Sequence, residues 1–195
     1  MTILPKPTLI IMVKEPVPGR VKTRLGRDIG RIPATWWFRH QTRALIKRLQ
    51  DPRWTCVLAV SPDAAGIKSR FWPDHIERVG QGIGDLGQRM AHVMKAPLHG
   101  PVCIVGGDIP DIQPHHIARA FRTLGSRDFV FGPAPDGGFW LVGAKRTRAL
   151  PTDLFQGITW STPQTLADTV ASLRGYRIGF CDELFDVDVA ADLKR

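Results

Sequence analysis

The sequence predicts an α/β protein built on a mostly parallel sheet. Short β-branched apolar runs alternate with stretches of helical periodicity along the chain. The segments richest in Gly, Asp, Lys and Arg fall just after those runs, where open α/β sheets bind ligands. No repeat, low-complexity tract or long linker interrupts the pattern, so the 195 residues are expected to form a single domain, 1–195.

Thr8–Val13 (TLIIMV) is the expected first strand, short, β-branched and bounded by Pro7 and Lys14. Pro33 is expected to open a helix running to about Gln50, with Trp37, Leu45 and Leu49 among its apolar positions. Trp54–Val60 gives a second strand, ended by Ser61-Pro62. Leu86–Leu98 reads as a helix, and Val102–Val105 as a core strand running into Gly106-Gly107-Asp108. Gln113–Leu124 is helical after Pro110, and Phe129–Phe131 and Phe139–Val142 are strands around a Pro/Gly-rich turn. Thr162–Leu173 is a helix, Tyr176–Cys181 a strand and Ala190–Lys194 a terminal helical turn.

Composition narrows the class of function. Hydrophobic residues make up 43% and charged residues 23%, as in an ordinary globular protein. No apolar run approaches the roughly 20 residues of a membrane span. The apolar run Leu9–Val13 is too short for a signal-peptide core. Cys56, Cys103 and Cys181 lack metal-ligand spacing and are expected to be buried thiols in a reducing compartment, which makes the cytoplasm the expected location. The net charge of +9 raises the possibility of nucleic acid. The basic residues are spread along the chain, however, and only Lys14, Arg20, Lys22, Arg24 and Arg27 cluster. A compact basic loop suits a small polyphosphate better than a duplex, so no nucleic-acid partner is expected.

That loop is KEPVPGRVKTRL (14–25). Pro16 and Pro18 stiffen it, and Gly19 allows close approach of a ligand to the backbone. Lys14, Arg20, Lys22 and Arg24 can converge on an anion, arginine as a bidentate fork and lysine as a point charge. It has neither the Walker A ending nor the dinucleotide-binding glycine spacing. A water-facing loop is the plainer alternative, but four cations within twelve residues repel one another unless an anion lies among them.

Asp108 follows a buried strand and two glycines that leave room beside it, which suits a hard cation such as Mg²⁺ or Mn²⁺. Capping or ordering the turn is the alternative, for which Asp111 is the better candidate. Asp186 and Asp188 are expected to point to opposite faces of an extended segment, so that only one meets the site. Asp186 and Asp192 are then mainly structural, and Asp188 could equally cap the last turn. Asp136-Gly137-Gly138 lies in a hairpin turn flanked by aromatic residues, the expected wall of a second substrate. Gln81–Arg89 is glycine-rich before a helix, able either to meet a base edge or to start that helix at Asp85.

In order, KEPVPGRVKTRL, QGIGDLGQRM, VGGDIPDI, GPAPDGGFWLVG, TWSTPQT and DVDVAADL span nearly the whole chain. Together they resemble the small bacterial selenodomain-associated transferases, whose domains are of the GT-A, nucleotide-diphospho-sugar transferase type. The set is more distantly similar to phospholactate guanylyltransferase and molybdenum-cofactor guanylyltransferase, and Lys-Thr-Arg-Leu at 22–25 echoes a Lys-Ser-Arg-Leu segment of the former. The resemblance implies a three-layer α/β/α sandwich. It implies that Lys14, Gly19, Arg20, Lys22 and Arg24 surround nucleotide phosphates, with Gln81, Asp85, Leu86 and Gly87 about the base. Asp108 and Asp188 would hold the metal, while Asp136, Gly137, Gly138, Trp160, Ser161 and Thr162 would shape the acceptor site. Ile109, Phe139-Trp140 and Val189-Ala190-Ala191 depart from the usual pattern, and imply a more apolar acceptor pocket.

The expected reaction is nucleotidyl transfer from a nucleoside triphosphate to a small phosphorylated or hydroxyl acceptor, with Arg20, Lys22 and Asp108 as the catalytic residues. Glycosyl transfer from a nucleotide-sugar is the close alternative, and a non-catalytic nucleotide-binding module the alternative of another class.

Overall fold

The computed structural model describes residues 6–95 and 100–194. Its first strand is β1 (Thr8–Lys14), parallel to β2 (Thr55–Ser61) on one side and to β4 (Val102–Gly106) on the other. Beyond β2 lies the short edge strand β3 (Glu77–Gly80). On the other flank come β6 (Phe139–Ala144), β5 (Phe129–Pro133) and β7 (Ile178–Phe180). The order is β3-β2-β1-β4-β6-β5-β7, and β6 alone runs against its neighbours. The sheet is therefore mostly parallel, as predicted.

Alternation along β1 divides the core. Leu9, Ile11 and Val13 face one side, against Leu45 and Ile46 of α2 (Arg31–Arg48), Leu49 just after it, and Ile117 and Ala120 of α5 (Pro114–Thr123). Ile10 faces the other side, with Met90, Val93 and Met94 of α4 (Leu86–Lys95) and Leu173 after α6 (Thr165–Ser172). Helices thus cover both faces, the three-layer arrangement implied by the resemblance. Each fully buried Leu or Ile contributes about 1.5–3 kcal/mol of transfer free energy.

Several boundaries differ from expectation for local reasons. The basic loop ends at Lys22, because Thr23–Ile29 forms a separate helix, α1. Gly30 (φ 93) breaks the chain between α1 and α2, so α2 begins before Pro33. In α2 it is Phe38 that enters the core, and Trp37 is only partly buried. The short helix α3 (Asp63–Lys68) and β3 were not expected, being brief and without an apolar run. The last three residues of the helix expected over Leu86–Leu98, 96–98, lie outside the described residues. α6 starts at Thr165, after a turn closed by Thr162, whose N–H donates to the Thr165 hydroxyl.

All three cysteines are free thiols. Burial pushes Cys56 to about 11 and Cys181 to about 12, so both stay protonated. Among the described residues no helix is long and apolar enough to cross a membrane.

Candidate active site

The end of β4 places Asp108. A Cβ on Gly107 would lie 3.0 Å from Val13 Cγ1 and 3.3 Å from the Met12 carbonyl oxygen, so the glycine lets this turn press against the end of β1. The Val187 N–H donates to the Asp108 carbonyl (3.3 Å) and brings the C-terminal segment alongside. Candidate ligand oxygens of Asp108, Asp186 and Asp188 consequently all lie within 4.8 Å of one another. This corrects the expectation that Asp186 and Asp188 point to opposite faces. Residues two apart share a face of an extended chain, so both carboxylates reach the site. Asp192, expected to be structural, accepts the N–H groups of Asp188 and Val189 and fixes that segment.

Lys22 enters this acidic cluster from the basic loop. It holds a left-handed conformation (φ 45) at the start of α1, uncommon for a residue other than glycine. Its side chain is 6% exposed, with Nζ 2.6 Å from Asp108 Oδ2 and 2.9 Å from Asp188 Oδ1. Arg24 donates to the other oxygen of Asp188 at 2.9 Å. Burial alone would lower the Lys22 pKa, but Asp108 and Asp188 outweigh it and raise it. Burial opposes ionisation of Asp188 too, yet Lys22 and Arg24 outweigh it and hold the carboxyl below its usual range. For Asp186 the balance is reversed: burial, then the charges of Asp108 and Asp188, outweigh Lys22 and push its pKa up. Three carboxylates that crowd together and draw in an ammonium form a donor set suited to a divalent cation.

Two cavities meet at this cluster. One, of about 520 Å³, is lined by Lys14, Arg20, Lys22, Arg24, Gln81, Leu86, Ser161, Asp108 and Asp188, among others. The second, of about 220 Å³, lies between Met90, Ile104, Ile109, Phe139, Trp140, Val142, Trp160 and Thr165, with Asp108, Asp136 and Asp186 also on its wall. Met12, Leu86, Gly106 and Asp108 line both.

Most of the residues expected at the site come together there, and several have other work. Gly19 (φ 76) shapes the loop, where the Arg20 N–H donates to the Val17 carbonyl. Gln81 is 5% exposed, and its amide nitrogen donates to the carbonyls of Val13 and Ala59, tying β1 to β2. Its two amide protons are therefore not available to a base. Asp85 accepts the Gln88 N–H while Gln88 accepts the Asp85 N–H, a reciprocal cap on α4. Gly87 is packed against Trp160 and Phe155, where a Cβ would come within 2.6 and 2.9 Å. Gly137 (φ 86) lies against Pro163, whose carbonyl oxygen would be 2.1 Å from an added Cβ; Asp136 and Gly138 line the smaller cavity, and Gly137 does not. Ser161 lines the basic cavity instead, and the Thr162 hydroxyl is engaged with Thr159 and Thr165.

Residues the sequence did not assign to the site include Asp186, expected to be structural, and Met12, Met90 and Thr165. Asp186 carried a usable signal, its spacing of two from Asp188. Met90 lies one helical turn beyond Leu86 and shares its face. Met12 and Thr165 carried no signal that separates them from core positions.

The bacterial family described as "Uncharacterized protein conserved in bacteria (DUF2064)" matches residues 44–162, well over half of the chain. That stretch holds Asp108, Asp136 and Trp160, whereas the basic loop and Asp186–Asp188 lie outside it. No curated protein matches the sequence. Among solved structures, a protein of Desulfovibrio desulfuricans G20 provisionally assigned as a nucleotide-diphospho-sugar transferase aligns with a TM-score of 0.85 and 29% identity, over 95% of this chain and 84% of that one. Rv0371C of Mycobacterium tuberculosis H37Rv, in complex with manganese, aligns at 0.56 with 17% identity over 99% and 98% of the two chains. CMP:2-keto-3-deoxy-manno-octonic acid synthetase, in complex with CTP, aligns at 0.52 with 14% identity over 97% and 95%. The fold is that of the nucleotide-diphospho-sugar transferases.

Proposed function

The chain belongs to the DUF2064 family of bacteria, and from that premise we propose that it is a transferase that uses a nucleoside triphosphate and a divalent cation to transfer a nucleotidyl group to a small acceptor. The observation that carries this reading is the meeting of a basic cavity and a second, cation-free cavity at one carboxylate cluster. Such a layout brings a polyphosphate and an acceptor to the same point. Transfer of this kind depends chiefly on alignment and on neutralising charge.

Lys14, Arg20 and Arg24 would bind the phosphate chain in the larger cavity. Asp108, Asp186 and Asp188 would hold the cation, Mg²⁺ or Mn²⁺, which supplies charge neutralisation on the phosphate oxygens. Lys22 bridges Asp108 and Asp188 and is within reach of the same phosphates. In the transfer, an acceptor oxygen bonds to the α-phosphorus and the bond to the α–β bridging oxygen breaks. Pyrophosphate leaves with the bond's electron pair, and its charge falls among the basic side chains. Asp136, on the wall of the smaller cavity, would take the proton of an acceptor hydroxyl. Gln81 and Asp85 are absent from the proposed base contacts, because the Gln81 amide protons and one Asp85 carboxylate oxygen are engaged within the fold. Leu86, 45% exposed between the two cavities, is the residue best placed to pack against the nucleoside.

Glycosyl transfer is a second reading, favoured by the Desulfovibrio structure's assignment. Product analysis separates them: pyrophosphate supports nucleotidyl transfer, and nucleoside diphosphate with a glycosylated acceptor supports glycosyl transfer. The broader proposal is tested by calorimetric titration of nucleoside triphosphates and nucleotide-sugars with Mn²⁺. Metal-dependent binding that Asp108→Asn abolishes is the expected result. Failure of every nucleotide to bind the folded protein would refute the proposal.

A further inference from the structure

The smaller cavity limits what the acceptor can be, on the footing of the transfer proposed above. Its walls are the side chains of Met12, Met90, Ile104, Phe139, Val142 and Trp160. The charged groups on it are Asp108, Asp136 and Asp186, all acidic, and among the described residues lining it none is basic. From the larger cavity Lys22 pairs with Asp108 (2.6 Å) and Asp188, and Arg24 pairs with Asp188, so neither is paired with Asp136. Even with Asp108 and Asp186 offset by Lys22 and the proposed cation, an acceptor bearing its own phosphate or carboxylate would meet the Asp136 carboxylate and would bury its charge against apolar walls. The cavity's 220 Å³ is below the usual range for drug-sized ligands, so it suits a body about the size of one ring.

One polar group could orient such a body. Asp136 has one carboxylate oxygen taken by the Gly138 N–H at 2.9 Å, and the other is left to accept a hydroxyl proton. Trp140 offers no donor to it, since its N–H is bonded to the Asp182 carbonyl. We propose that the acceptor is a small neutral alcohol with an apolar, single-ring-sized body, rather than a phosphorylated or carboxylated compound. The hydroxyl loses its proton to Asp136 as its oxygen bonds to the α-phosphorus, and pyrophosphate departs.

The test uses the full chain with its methionine methyl groups ¹³C-labelled. Met12 and Met90 line the cavity, and Met94, fully buried and not on its wall, serves as the control signal. The protein is titrated with 2-phenylethanol and, separately, with phenyl phosphate. The expected result is that the alcohol saturably shifts the Met12 and Met90 signals, with Met94 unmoved, and that phenyl phosphate is weaker by about tenfold or more. Asp136→Asn should narrow that gap severalfold by removing one of the like charges. Equal or tighter binding of phenyl phosphate, or no shift of Met90 with the alcohol, overturns the proposal. A third titration with CTP, GTP, UTP and ATP plus Mg²⁺ keeps the two readings apart. If no nucleotide binds while the alcohol does, the donor reading fails and the chemistry of the cavity stands. If nucleotides bind and the alcohol does not, the acceptor proposal alone falls.

Discussion

The two cavities that meet at Asp108 are built from opposite chemistry. The larger takes its cations from a single stretch of sequence, Lys14 to Arg24. The smaller is assembled from β1, α4, β4, β6 and the segment before α6, and its charged groups are all acidic. Under the proposed transfer, a chain with five segments around one apolar hollow and a basic loop around the next would sort two ligands by charge. The shared wall of Met12, Leu86, Gly106 and Asp108 is where those ligands would touch.

The change that most severely tests this division is Asp108→Asn, because Asp108 belongs to both sides. Turnover should fall by about 10³-fold, the scale expected when one preorganised electrostatic contact is lost. Circular dichroism should be unchanged, and activity near that of the wild type would take Asp108 out of the mechanism. Next comes Lys22→Met, which leaves the carboxylates without their ammonium. Stability without metal should drop by about 1–3 kcal/mol, and Mn²⁺ should raise the melting temperature more in the variant than in the wild type. A smaller Mn²⁺ effect in the variant would mean that Lys22 does not stand where the metal binds.

Arg20→Ala combined with Arg24→Ala acts on the basic side alone. The KM for nucleotide should rise by roughly 10- to 100-fold from lost charge-assisted contacts, with 2-phenylethanol binding unchanged. Loss of alcohol binding as well would break the separation of the two cavities. The smallest change, Gly137→Ala, acts on the acceptor side. A left-handed residue other than glycine costs about 1–2 kcal/mol, and the added Cβ would also displace Pro163. The protein should melt at a lower temperature and bind nucleotide with unchanged affinity.

The same contrast explains what could be read from the sequence. The basic loop was legible because its four cations are neighbours in the chain, and Asp108 because two glycines and a buried strand precede it. Alternation of apolar runs was enough for the sheet, though β3, with only Glu77–Gly80 and no apolar run, went unseen. The acceptor cavity was not legible residue by residue. Met12, Met90, Ile104 and Val142 are core-like in any local window, and only tertiary packing leaves a hollow between them. A polar residue in a glycine-rich turn misled in the other direction. Gln81 was expected about the base but ties two strands together, while for Asp85 the structure takes the other of the two readings, the start of α4. Asp186 was misjudged by a wrong parity, since a spacing of two puts carboxylates on the same side of an extended chain.

The most direct measurement is a crystal structure grown with Mn²⁺ and a non-hydrolysable nucleoside triphosphate. The account predicts an anomalous manganese peak among Asp108, Asp186 and Asp188, phosphates along Lys14, Arg20 and Arg24, and an apolar cavity free of phosphate. A manganese ion elsewhere, or a triphosphate lying between Met90 and Phe139, would contradict it.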